Sequence, residues 1–290
     1  MRPRRLFSRL LDIALIFLFV YLLVIPEKTT EFTREALSFC AGSLIPSLFA
    51  CMVLAKCVVT LPITDRIASR LGVGSVVFTI GLLCGAPIGA KLAVSLYESG
   101  RIDRRYAEYL VSFCNNASAS FLVGFVGAEL FGSVAVGIRL LLIQMISALV
   151  AATVMRFVIY PKGLLPKFKY DSGERVGLRE SIADGAATMI NICACAVFFI
   201  VIGGALSSLL PLDPIGDSVM RSLLEFSSGC AAASRLTSNA YAVTSLAIGC
   251  GGLSVAMQVK SVVAGRLSIK PYLSGKLISC GVMMLLTILS

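Results

Sequence analysis

What most constrains this chain is a succession of apolar blocks, at about 10–25, 36–62, 71–97, 107–128, 130–160, 182–212, 219–234, 240–264 and 272–290, with most charged residues in the connections between them. A hydrocarbon layer about 30 Å thick needs roughly 20 apolar residues per helix, and several blocks reach that length. A soluble helix would instead alternate charge with apolarity around its circumference. With 57% apolar and 14% charged residues, the chain reads as one whose solvent is the lipid bilayer. The expected fold is all-α, a single integral membrane domain over 1–290, forming a polytopic bundle of about 8 spans with broken or re-entrant helices.

The net charge of +10 raises nucleic acid as a partner, but the basic residues fall in loops and at helix ends without an aromatic-interleaved face. Positive cytoplasmic loops account for the excess, so no nucleic acid is expected. The N-terminal Met-Arg-Pro-Arg-Arg precedes an apolar run with no small-residue cleavage pattern after it, which reads as a retained first helix with a cytoplasmic basic end. A connection at 161–180, carrying Lys162, Lys167, Lys169, Arg175 and Arg179, is the expected basic cytoplasmic loop between repeat-like halves at 36–128 and 182–290.

If every block crossed, Arg101, Arg104 and Arg105 would face outward together with that loop, against the positive-inside rule. One early re-entrant block repairs both. Either 36–62, with Gly42 and Pro46, or 71–97, with Gly85, Pro87 and Gly89, has the necessary helix breakers. Breaks at membrane depth survive only where neighbouring protein or a wet cavity satisfies the freed backbone groups.

An internal repeat is visible when Cys84–Ala90 is placed over Cys250–Ala256, matching Cys, Gly and Ala. Interrupted segments at corresponding positions of two halves point to a secondary transporter's binding site; ordinary small-residue helix packing is the competing account. An inverted relation between the halves is the expectation.

Several residues stand out at these breaks. Gly85, Pro87 and Gly89 end one helix and start another, whose free N–H groups suit an anion. Lys91, one turn on, either adds charge there or snorkels to the interface. Asn115, Asn116 and Ser118 put amides and a hydroxyl inside an apolar helix, where they bond a neighbouring helix or contact a solute. In the second half Glu225, with Ser227 and Ser228, is a candidate for proton or cation coupling. Gly251 and Gly252 supply flexible backbone, and Ser254 and Gln258 uncharged hydrogen-bonding groups.

The chain has no histidine, and its ten cysteines include no C-x-x-C pair, so neither metal nor other cofactor is expected. The absence of a P-loop and of a G-x-S-x-G elbow argues against an enzyme. A small-molecule solute and the bilayer are the expected partners, and a homo-oligomer is left open.

Gly-Ala-Pro-Ile-Gly-Ala-Lys (85–91), Leu-Tyr-Glu-Ser-Gly (96–100), Phe-Cys-Asn-Asn (113–116), Leu-Glu-Phe-Ser-Ser-Gly (224–229) and Gly-Gly-Leu-Ser-Val-Ala-Met-Gln-Val (251–259) follow one another in order. Together they resemble the sporulation integral membrane protein YlbJ family, also called SpoVV, among the nucleoside-recognition or Gate-domain membrane proteins. The resemblance runs from about Ala41 to Ile278 and departs from the family pattern at Ala86 and at Ala117-Ser118-Ala119. It implies a core similar to concentrative nucleoside transporters, a multi-pass location in the cell membrane, and transport of dipicolinate across the outer forespore membrane during sporulation. Transport of a nucleoside or another solute on the same scaffold, or a structural role in assembling the spore envelope, are the alternatives.

Overall fold

The computed structural model describes residues 3–159 and 176–290, so most of the expected basic loop at 161–180 lies outside the described residues. All regular structure among them is helical. The first half comprises α1 (Pro3–Val24), α2 (Pro26–Phe39), a π-helical turn at Cys40–Leu44, α3 (Ile45–Val59), α4 (Pro62–Leu71), α5 (Val73–Cys84), α6 (Ile88–Glu98), α7 (Arg104–Phe113), a π-helical segment at Phe121–Leu130, and α8 (Val134–Ile159). The second comprises α9 (Leu178–Leu209), α10 (Pro214–Leu224), α11 (Phe226–Ala233), α12 (Ala240–Cys250), α13 (Gly252–Val263) and α14 (Lys270–Leu289).

Of the two blocks suited to re-entry, 36–62 belongs to one continuous helical run, Pro26–Val59. Pro46 cannot donate to the carbonyl four residues back, and a π-turn absorbs the mismatch, with the Ile45 N–H reaching the Cys40 carbonyl. The block 71–97 is the one that folds back. A Cβ added at Gly81 would lie 3.5 Å from the Cα of Gly89, whereas eight residues of straight helix would separate them by about 12 Å. The same test makes α10 and α11 a second folded-back pair, since a Cβ at Gly229 would lie 2.4 Å from the Cα of Ser222.

Apart from α1 and α4, which have no counterpart after α9, each half runs in the same element order: a long helix, a folded-back pair, an interrupted helix, a long helix. That order aligns α5 and α6 with α10 and α11, and α7 and its π-helical continuation with α12 and α13. The residue register of Cys84 over Cys250 instead superposes a folded-back pair on an interrupted helix. Its shared Cys, Gly and Ala reflect the common small-residue demands of two tight breaks.

Five helices among the described residues are long and apolar enough to cross a membrane: Pro26–Val59, Val134–Val158, Leu178–Leu209, Ala240–Val263 counted across its break, and Lys270–Leu289. This is fewer than the roughly 8 spans expected at about 20 residues each, because the blocks 71–97, 107–128 and 219–234 are divided into short helices and the apolar stretch of the first block, Asp12–Val24, is itself short. The long helices wear their apolar side chains outward. On α8, Ile138, Leu142, Ile146 and Leu149 are exposed, while Gln144 and Ser147 are buried. On α14, Leu273, Leu277 and Leu285 face out while Tyr272, Gly275, Ser279 and Thr287 are buried. Such inversion suits a hydrocarbon solvent and would be an aggregation hazard in water.

Polar contacts gather at two opposite ends. At one, Lys56 lies 3.7 Å from Glu180, Arg266 pairs with Glu98, and the Ser268 N–H donates to Glu108 at 2.9 Å. These contacts join the C-terminal ends of α3 and α6 and the start of α7 to the N-terminal part of α9 and the connection after α13. At the other, Glu35, Asp217 and Arg235 line a shared cleft. The folded-back pairs thus enter from opposite ends, and their tips meet between.

Candidate functional site

Four interruptions of helix converge on one narrow cavity. Its lining includes Gly85, Asn115, Asn116, Glu225, Gly251 and Lys276, closed by apolar side chains such as Leu44, Phe121 and Ile192. About 40 Å³ is open to the centres of water molecules. That is room for a few waters, so a solute of aromatic size requires the walls to part.

The first interruption is the tip of the α5–α6 pair. Gly85 has φ +81°, a conformation that side chains with a Cβ disfavour, and the Ala86–Pro87 peptide is cis. The free donors at the start of α6 are taken up by the second interruption: the Ala90 N–H donates to Asn115 Oδ1 at 2.8 Å, and the Ala86 N–H to the Asn116 carbonyl at 2.9 Å. A Cβ at Gly89 would lie 2.1 Å from the Cys114 carbonyl oxygen, so the crossing requires glycine there.

The second interruption is the non-helical stretch 115–118 between α7 and Phe121–Leu130. Asparagine and serine compete with the backbone for hydrogen bonds and so favour unwinding. Asn115 Nδ2 donates to the Val111 carbonyl and Asn116 Nδ2 to the Phe113 carbonyl, each at 2.9 Å. Ser118 Oγ accepts from the Phe121 N–H at 3.1 Å. Gln144 of α8 completes the pairing, its Oε1 accepting the Ala117 N–H and its Nε2 donating to the Ala117 carbonyl, both at 3.0 Å. On the far side Gly275 of α14 admits the Ser112 carbonyl, which a Cβ there would approach to 1.9 Å.

Glu225, at the tip of the α10–α11 pair, is the third. It is buried, leaves the helical region (φ −143°, ψ 115°) and caps α11, accepting the Ser228 N–H at 2.8 Å and the Ser227 hydroxyl. Ser228 Oγ donates back to the Glu225 carbonyl at 2.9 Å. Two donors thus hold the carboxylate and a third the backbone carbonyl, the geometry of a fixed N-cap.

The fourth interruption is Gly251 (φ +71°) with Gly252 (φ +69°), between α12 and α13. No side chain caps the start of α13. Lys276 Cε and Nζ and the Tyr272 hydroxyl each lie 3.7 Å from where a Cβ at Gly251 would stand.

Of the residues singled out from the sequence, Gly85, Asn115, Asn116, Ser118, Glu225, Gly251 and Gln258 line this cavity. Pro87 and Gly89 shape the tip behind it, Ser227 and Ser228 hold Glu225, Gly252 abuts the carbonyls of Ser222 and Leu224, and Ser254 accepts from Gln258 Nε2 at 3.2 Å. Lys91 points elsewhere, into a wider cleft, where its ammonium pairs with Asp184 Oδ2 at 2.6 Å and bonds Thr188. Its burial is thus answered by a carboxylate of α9, which also pairs with Lys56 at 3.4 Å. Gln144 and Lys276 are the site residues that sequence reasoning passes over. Their one signal is a lone polar side chain in an apolar helix. Among the described residues, no three His, Cys, Asp or Glu side chains gather as a metal site would require.

The chain is similar to the sporulation integral membrane protein YlbJ of Bacillus subtilis (strain 168), 30% identical over 157 residues, which are 50% of this chain and 38% of that protein. It therefore spans well under two thirds of the relative's length. No family model and no solved structure matches the chain. The resemblance carried by the ordered motifs is borne out by this relative.

Proposed function

We propose that this protein carries a small anionic solute across a membrane during sporulation, with dipicolinate at the outer forespore membrane as the solute. The observation that carries the reading is the meeting of four helix breaks, two from each half, on one closed cavity. Static packing has no need of four breaks at one point, each leaving backbone groups that other residues must satisfy. A transporter does, because half-helices around a central site can rock about it and expose it alternately to either side.

In this reading the halves are inverted. Crossings are made by α1, Pro26–Val59, α7 with its π-helical continuation, α8, α9, α12 with α13, and α14; the two folded-back pairs are re-entrant from opposite faces. Arg101, Arg104, Arg105, Arg266 and Lys270 then share the cytoplasmic face with the connection between the halves, as positive loops favour. An inverted arrangement that meets this rule needs both pairs to be re-entrant.

The name of the YlbJ relative supports sporulation as the setting, and the donors around the cavity support an anion. The test is genetic: deleting the gene from its spore-forming host is expected to remove most spore dipicolinate, and re-expression to restore it. Spores of the deletion strain with normal dipicolinate would refute the assignment.

A further inference from the structure

Lys276 lies seven residues into α14, on the same inward face as Tyr272 and Ser279, and its side chain reaches the central cavity. Placing a cation at the middle of a membrane helix costs on the order of 3 kcal/mol, so a retained one requires a compensating contact. Other cations drawn toward the interior have theirs: Lys91 pairs with Asp184 at 2.6 Å and Arg221 with Asp217 at 2.8 Å. Lys276 has no ion pair or hydrogen bond among the described residues.

Two further groups beside it lack partners. The hydroxyl of Tyr272, a residue 1% exposed, has no hydrogen-bond partner among the described residues, and it stands at the same 3.7 Å from the Gly251 Cβ position as the Lys276 ammonium. The Gly251 N–H closes α12 on the Ala247 carbonyl, and the first turn of α13 that follows has no side-chain cap among the described residues, which leaves its N–H groups without an intrahelical partner. An ammonium, a phenol and an uncapped helix N-terminus are all donors, and they share one break. What such a set lacks is an acceptor with negative charge.

We propose that Lys276, Tyr272 and the first turn of α13 form the receptor for a carboxylate group of the transported solute. The inference rests on the transport reading and assigns its charge selectivity to the second half, at the Gly251 break, instead of to Lys91. Glu225 lines the same cavity and would repel an anion, but its Oε2 is held by the Ser227 hydroxyl and the Ser228 N–H, which offset part of its charge. Acid and base face one space without pairing. A carboxylate seated on Lys276 would part the tips of the folded-back pairs, coupling occupancy to opening.

The experiment is equilibrium binding of dipicolinate, and separately of a neutral nucleoside, to the full chain purified in detergent. Wild type is expected to bind dipicolinate. Lys276→Gln is expected to weaken it roughly tenfold or more, the effect of losing one charge-assisted contact. Lys276→Arg should recover part of the affinity, Tyr272→Phe should lose less than Lys276→Gln, and Glu225→Gln should bind at least as tightly as wild type. Undiminished binding by Lys276→Gln would overturn this inference and leave the transport reading standing. Wild type that binds the nucleoside and no dipicolinate would overturn the anion reading itself. Should Lys276→Gln fail to fold, Tyr272→Phe and Glu225→Gln decide: unchanged affinity in the first together with loss in the second overturns the receptor.

Discussion

Gln144 commits both ends of its amide to a single residue, Ala117, at the centre of the unwound stretch. In water such a pair would be worth little, because solvent could replace it. Inside a buried break there is no substitute, and each orphaned backbone group costs about 1–3 kcal/mol. Gln144→Leu keeps the bulk and removes both partners, so it is expected to destabilise the protein by about 2 kcal/mol or more on the same scale. Thermal unfolding in detergent would read this as a clear fall in Tm; an unchanged Tm would mean that water enters the break. Asn115 and Asn116 are legible in the sequence because two adjacent amides interrupt an apolar run, whereas Gln144 and Lys276 sit singly in long apolar helices. Hydropathy averages a lone polar residue away, and only the fold reveals which face it occupies.

Among elements, the folded-back pairs depend on close backbone approach. Gly81 and Gly89 admit the Cys114 carbonyl between the arms of α5 and α6, and the contact at Gly89 is with backbone, which cannot swing aside. Gly89→Ala is therefore expected to push the 115–118 stretch off the pair, lowering Tm and abolishing solute binding together. Gly124→Ala in the π-helical segment, where nothing lies within 4 Å of an added Cβ, should leave both intact. Equal tolerance of the two substitutions would show that the pair is not clamped in this way. The break itself is legible in Gly85 and Pro87, since both residues oppose helix continuation. Less legible is α2: Pro26, Glu27 and Lys28 look like a loop after the block 10–25, yet they begin a helix that continues into Cys40–Leu44 and α3. A polar helical extension at a membrane edge leaves no hydropathic trace, because water and headgroups satisfy its side chains.

At the scale of the whole molecule, the proposed topology follows from where the two folded-back pairs open. Charge in the loops says that some early block fails to cross, and the placement of Arg266 and Lys270 calls for a second re-entrant block in the other half without saying which one. One re-entrant block leaves the ends of the second half misplaced; two, entering from opposite faces, return Arg266 and Lys270 to the side of Arg101. Contacts already bind these ends: Arg266 to Glu98 across the two halves, and the Ser268 N–H to Glu108. Single cysteines can test the arrangement once the ten native ones have been replaced. In intact vegetative cells made to express the protein in their cell membrane, a membrane-impermeant maleimide should label Gly132→Cys and Asp213→Cys, both exposed, and should leave Ser99→Cys and Gly265→Cys unlabelled until the membrane is opened. Labelling of Ser99→Cys and Asp213→Cys from the same side would break the inverted relation, and with it the reason for placing a solute where the four breaks meet.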